Sequence, residues 1–184
     1  MSSMAIPYGV SLEGFLDVIG AWNRARGCIG PLTNEEVASR TSSEAKLESK
    51  KKLVSNQNTF LNQIGILKKN GKKNQLTDIG CKISRAIDYD LMDEFVEKMS
   101  DQLWNWSEGK PLLDYLYYRK QVDENSFLER IVADAGKLMQ TTNAAMGAQT
   151  LVDLFLRVGI FERDEDSVKM TDNARKEYER LNNL

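Results

Sequence analysis

Residues 62–80 read NQIGILKKNGKKNQLTDIG. Asn70-Gly71 lies at the centre, flanked by Lys68, Lys69, Lys72 and Lys73, with Ile66-Leu67 before them and Gln75-Leu76 after. Asn-Gly between short apolar runs is the strongest local signal for a two-residue hairpin, because both residues tolerate left-handed backbone. Gly65 marks the end of a preceding helix. The stretch therefore predicts a helix end, two short strands at Ile66-Leu67 and Gln75-Leu76, and a new helix from Thr77 to about Ala86. It also raises a question, because four like charges on one tight turn repel each other.

The same outline returns at residues 156–174 as LRVGIFERDEDSVKMTDNA, where the turn is acidic. A shift of 94 places Gly65-Ile66-Leu67 on Gly159-Ile160-Phe161, Leu76-Thr77-Asp78 on Met170-Thr171-Asp172, and Phe60-Leu61 on Leu154-Phe155. The same shift sets Glu35 on Glu129 and Val37 on Ile131, so a gapless repeat over 35–78 is expected.

Outward from the hairpin, helical periodicity supplies the rest. Leu12, Phe15, Ile19 and Trp22 share one face of a helix that Ser11 can cap. Thr33 and Glu36 form a capping box for a short second helix. Leu53, Phe60, Leu61 and Ile64 line a third. In the second copy, Leu112, Leu113 and Leu116 mark the first helix, and NSFLERIVADAG reads as the second. Leu151, Leu154, Phe155 and Val158 mark the third, and Ile160-Phe161 with Val168–Met170 the hairpin. TDNARKEYERL reads as the last helix. Residues 91–106 are amphipathic through Phe95, Met99 and Trp106, which predicts a connecting helix rather than a loose linker. The fold class expected is mainly α with two small β-hairpins, in one rigid body.

Composition narrows the function. The chain has 184 residues, 41% hydrophobic and 28% charged, enough for one or two small domains. No apolar run nears the roughly 18 residues of a membrane span, and the start MSSMAIPYGV lacks a secretory pattern. A cytoplasmic protein is expected. With no histidine, zinc sites of the usual kind and Ser-His-Asp or Cys-His catalysis are excluded. Neither GxxxxGK[ST] nor GxGxxG occurs. Asp93-Glu94 and Asp123-Glu124 read as solvated charge or helix caps. The expectation is a non-enzyme without cofactor or metal. Cys28 and Cys81 lack CxxC pairing and are expected as reduced core thiols, with one disulfide as the alternative.

Charge is unevenly spread. Residues 1–85 hold 13 basic against 7 acidic side chains, and residues 86–184 hold 12 against 20. Residues 40–85 alone hold 11 against 3, a surplus of +8. Such asymmetry implies different partners for the two halves.

TNEEVASRT, FLNQIGIL, the lysine-rich turn and LTDIGCKI together resemble the winged-helix DNA-binding superfamily. The Leu-Thr-Asp-x-Gly ending is similar to that of MarR- and PadR-like transcription regulators. The resemblance implies two winged-helix domains in tandem, 11–88 and 108–184, joined by the connecting helix at 89–107. It also implies a third helix in the major groove and a hairpin, the wing, against the DNA backbone. The first domain would then bind double-stranded DNA. Arg40, Lys50, Lys51, Lys52, Lys68, Lys69, Lys72 and Lys73 would contact phosphate, Asn56, Asn58 and Asn62 would face the bases, and Ser55 would also belong to the DNA-binding surface.

The second copy replaces the three helix lysines by Ala144, Ala145 and Met146, and the lysine turn by Glu162, Arg163, Asp164, Glu165 and Asp166. An acidic wing repels phosphate. Ala145, Met146, Gln149 and Val152 present a nearly uncharged face that suits a protein contact, a homodimer first, or else packing within the chain. Two classes of function follow: a DNA-binding regulator, or an adaptor whose winged helices bind protein, as in ESCRT-II-like or chromosome-organising subunits.

Overall fold

The computed structural model describes residues 3–137 and 141–184. The described residues are mainly helical, with two small antiparallel sheets. In the N-terminal half, α1 (Leu12–Arg24), α2 (Asn34–Ala38) and α3 (Leu47–Gln63) precede the hairpin of β1 (Leu67–Asn70) and β2 (Lys73–Leu76), and α4 (Asp78–Asp88) follows. Ser11 caps α1, Thr33 and Glu36 close a reciprocal capping box on α2, and Thr77 caps α4. Helix α5 (Met92–Trp104) connects the halves, with Phe95, Met99 and the following Trp106 all buried.

The order then recurs. Helices α6 (Lys110–Arg119), α7 (Glu124–Asp134) and α8 (Thr142–Arg157) lead to β4 (Phe161–Asp164), β5 (Ser167–Met170) and α9 (Asp172–Asn182). A two-residue strand, β3 (Val122–Asp123), pairs with β5, giving the order β3-β5-β4. Its counterpart in the first half is one bridge from Leu32 to Asn74.

Three expectations need correction. The hairpin strands are longer than predicted, and the loop is Gly71-Lys72 rather than Asn70-Gly71, so Lys68, Lys69 and Lys73 sit in strands. The repeat is not gapless. Val122 meets Val168 as Leu32 meets Asn74, so residues 32–38 match residues 90 further on, whereas the third helix, hairpin and last helix keep the shift of 94. Helix α7 is nearly two turns longer than α2, and loops on either side absorb the slip. Finally, Cys28 and Cys81 are joined as a disulfide, with Cα atoms 5.6 Å apart. The fold brings the loop after α1 against α4, which sequence separation alone does not reveal.

The core is continuous. Phe15, Phe60 and Trp106 pack at tilted and edge-on angles and tie α1 and α3 to the end of α5. Phe127, Phe155 and Phe161 tie α7, α8 and β4 together in turn. Segment 4–10 joins the halves. Met4, Ile6 and Val10 are buried, Gly9 N–H bonds the Asn143 carbonyl at 3.0 Å, and the Thr150 hydroxyl donates to the Val10 carbonyl. Gly147 of α8 lets this segment approach, since a Cβ there would lie 2.8 Å from the Pro7 carbonyl oxygen.

Candidate nucleic-acid interface

Helix α3 has a buried face of Val54, Gln57, Phe60 and Leu61. Opposite it, Lys52, Ser55 and Thr59 recur at helical spacing and reach the surface. The two flanks are occupied by the protein itself. On the flank toward α2 and β2, the Asn58 side chain donates to Asn34 Oδ1 at 2.8 Å. Asn62 donates to the Asn58 carbonyl at 2.7 Å and to Asn74 Oδ1 at 3.1 Å. Lys51 pairs with Glu35 and Glu48, both at 3.2 Å, and the Glu35 contact is the main cause of its raised pKa.

The other flank meets the N-terminal segment. Gln63 accepts from Ala5 N–H and donates to the Ser3 carbonyl, each at 2.9 Å. A cleft of about 390 Å³ lies there, lined by Ser55, Asn56 and Thr59 of α3, by segment 3–8, and by Lys137. These placements correct the sequence reading. Asn58 and Asn62 hold α3 against its neighbours instead of facing outward, Lys51 is neutralised by two carboxylates, and Asn56 is half-buried at the cleft.

The hairpin places its cations differently. Lys68, Lys69, Lys72 and Lys73 all reach solvent. Side chains alternate along a strand. The register pairs Leu67 with Leu76 and Lys69 with Asn74, so Lys69 lies on the face that turns toward α3. Lys68 pairs with Gln75 and Asn70 with Lys73, on the opposite face. Gly71 at the loop has φ +62°, which glycine adopts without strain.

Among the described residues, the ion pairs of this half are Arg24 with Asp17 and Asp88, and Lys51 with Glu35 and Glu48. Lys50, Lys52 and the four hairpin lysines take part in none of them. Arg40 is exposed after α2, its carbonyl accepting from Arg24 Nε of α1 at 2.9 Å. The result is a set of solvated cations spread over the hairpin and the start of α3, with Glu35, Glu36 and Glu48 among the nearby acids. Glu36 is held below the usual carboxylate range chiefly by the Thr33 backbone N–H and hydroxyl, with Lys73 adding a smaller pull.

The equivalent surface of the second half is closed. Val152 is 0% exposed, and Ala144 is also in the core. Gln149 donates to Glu124 at 3.3 Å and to Asp153 at 3.1 Å, while Ala145 is half-buried. Only Met146 stands out, at 41% exposure. The four residues expected as a flat apolar face, Ala145, Met146, Gln149 and Val152, do not share one exposed face. Val152 lies in the core, Gln149 is held on Glu124 and Asp153, Ala145 is half-buried and Met146 is exposed, while Asn143, Gly147 and Thr150 of the same helix meet residues 7–10. On the second hairpin, Arg163 folds back onto Glu124 at 2.9 Å and Asp153 at 3.1 Å. The Arg163 contact, foremost, lowers the Glu124 pKa. Lys169 bridges Asp164 and Glu162, leaving Glu165 and Asp166 exposed at the loop.

Thr59 carries no distinctive sequence signal of its own, although its place four residues after Ser55 and seven after Lys52 marks the outer stripe. Gln57, fully buried and donating to the Tyr8 carbonyl at 3.0 Å, is equally hidden, because a polar residue at a core position looks like any other polar residue. No protein family, no curated protein and no solved structure matches the chain. No helix among the described residues is long and apolar enough to cross a membrane.

Proposed function

We propose that this chain is a non-enzymatic DNA-binding protein, a prokaryotic transcription regulator of the cytoplasm built from two winged-helix domains in tandem. Its first domain contacts duplex DNA. Lys52, Ser55 and Thr59 of α3 face the groove, and Lys68, Lys69, Lys72 and Lys73 of the wing meet phosphates. The observation that carries this reading is the hairpin: four solvated lysines, none in an ion pair among the described residues, beside a helix whose outer stripe is polar and begins with another such lysine. Concentrated unpaired positive charge repels itself and is stabilised by a polyanion.

Binding of this kind is dominated by phosphate. Neutralising about five phosphates gives a log–log salt slope near −4.5, or about a 500-fold loss of affinity between 50 and 200 mM salt. Titration of a labelled random duplex at those two concentrations tests it. Absence of binding at the lower salt, with micromolar protein, sinks the reading.

The adaptor reading keeps one supporting observation. Segment 3–8 lies along the Asn56 flank of α3, which narrows the approach to a groove on that side. An adaptor would show no salt-dependent duplex binding, so the same titration separates the two.

A further inference from the structure

Helix α7 ends in a Schellman motif. Gly136, at φ +64°, takes the left-handed position, and its N–H bonds the Ala133 carbonyl at 2.9 Å. The Lys137 N–H bonds the Val132 carbonyl at 3.0 Å. This double closure fixes the backbone of Lys137 although the residue lies past the helix. Lys137 is exposed, and it reaches the first half, where its ammonium lies 5.3 Å from the centre of the Tyr8 ring. Tyr8 is itself held on α3, its carbonyl accepting from Gln57 Nε2 at 3.0 Å. A cation over a ring face keeps N–H groups for other partners.

Lys137 thereby joins Ser55, Asn56 and Thr59 in lining the cleft of about 390 Å³ beside α3. Among the described residues that line it, Lys137 is the single charged one, and segment 3–8 carries no charge at all. Lys137 forms no ion pair among the described residues, whereas Arg130 of α7 is held by Asp134 at 2.8 Å. An α-helix with its side chains is about 10–12 Å across and the major groove is about 12 Å wide, so a helix in the groove has a phosphate backbone along each flank. With Ser55 and Thr59 facing the groove, one backbone passes the side of α2 and the hairpin. The other passes the Asn56 side, where segment 3–8 presents an uncharged wall and Lys137 the one cation of the cleft.

We infer that Lys137 is a DNA-contacting residue supplied by the second half. Its ammonium takes a backbone phosphate at the mouth of this cleft, with the Asn56 carboxamide as the second donor there. The inference rests on the DNA reading and extends the contact surface from the first half to both. The phosphate belongs to the duplex, because one exposed ammonium gains little from a free ion in water. The hairpin lysines and Lys52 hold the polymer, which raises the local phosphate concentration at Lys137. Net charge hides this contact. Residues 86–184 hold 12 basic against 20 acidic side chains, yet the end of α7 places one of the 12 in a cleft with no acid among its described lining residues.

The test is the salt dependence of duplex binding by the full chain, read by anisotropy for wild type, Lys137→Ala, Lys137→Arg and Lys176→Ala. Lys176 of α9 is also exposed and lies outside the cleft, so its removal makes the same change in net charge elsewhere. Lys137→Ala lowers the log–log slope by about 0.9, the value for one phosphate. If the electrostatic difference vanishes at about 1 M salt, that slope is a loss of affinity of about 15-fold at about 50 mM salt and about 4-fold at about 200 mM. Lys137→Arg and Lys176→Ala keep the wild-type slope. Circular dichroism confirms that each variant is folded. A folded Lys137→Ala chain with the wild-type slope overturns the inference, even where its affinity falls, since that loss is structural. An equal drop in slope for Lys176→Ala overturns it too. If the hairpin substitutions reduce the slope and Lys137→Ala does not, the inference fails alone. A wild type that binds no duplex removes the DNA reading and the inference with it.

Discussion

The hairpins β1–β2 and β4–β5 have the same length, the same register and the same two-residue loop, and each loop opens with a left-handed residue, Gly71 at φ +62° and Glu165 at φ +55°. Beneath them the same apolar frame recurs, with Leu67 and Leu76 buried in one and Phe161 and Met170 in the other. Outside, one hairpin carries four lysines that form no ion pair among the described residues, and the other folds its arginine and lysine onto carboxylates of its own half. The comparison separates what fixes the shape of a hairpin from what fixes its partner. Buried residues and backbone dihedrals set the shape. The exposed positions carry no such constraint, and there the two halves have opposite sign.

The largest expected effect concerns the surface of α8. If that surface is core, Val152→Asp buries an unpaired charge and costs about 3–5 kcal/mol, a large share of the roughly 5–15 kcal/mol typical of a domain. Met146→Glu on the same helix changes stability by less than about 0.5 kcal/mol. Urea unfolding followed by circular dichroism measures both. Equal, small effects would return α8 to the status of a free interface.

Next in size is the removal of the four hairpin lysines. Lys68→Ala, Lys69→Ala, Lys72→Ala and Lys73→Ala together should reduce the salt slope of duplex binding by up to about 3.6, at about 0.9 for each phosphate no longer neutralised. Anisotropy titrations at several salt concentrations read this directly. A slope that does not change places the DNA-binding surface elsewhere.

The framework of the repeat was legible in the sequence and its details were not. Gly65 with Gly159 and Leu-Thr-Asp with Met-Thr-Asp were visible because a left-handed helix end and a threonine cap demand particular residues at fixed spacing. The slip from 94 to 90 in the second helix was invisible, since loops of different length carry no periodic signal. Asn58 and Asn62 looked outward by helical spacing, yet a polar side chain at the border of a helix face is free to bond inward, and Asn34 and Asn74 supply the partners. Segment 4–10 is too short to show a period, so its role at the junction of the halves had no trace. The disulfide depends on the fold placing Cys28 beside α4, and spacing along the chain could not decide it.

Smaller effects follow at the loops. Gly71→Ala forces a Cβ onto a left-handed residue and should cost about 1 kcal/mol. Glu165→Gly relieves the same conformation in the other hairpin and should be neutral or stabilising by up to about 1 kcal/mol. Opposite signs in thermal unfolding confirm that the loops are equivalent, and like signs break the comparison. The smallest effect separates two adjacent lysines of α3. Lys52→Ala should lower the salt slope by about 0.9. Lys51→Ala should lower it less, because Glu35 and Glu48 already hold that ammonium. Parallel titrations of the two variants decide it.

The strap of residues 4–10 bears on how the chain is made. Its partner Thr150 lies 140 residues downstream of Val10. At the usual rate of about 5–20 residues per second of synthesis, Ile6 and Val10 wait about 7–28 s before α8 emerges to meet the segment they belong to. During that interval the nascent N-terminal half exposes a sticky arm. The seat of Val10 is therefore completed only when Thr150, near the end of the chain, has been made.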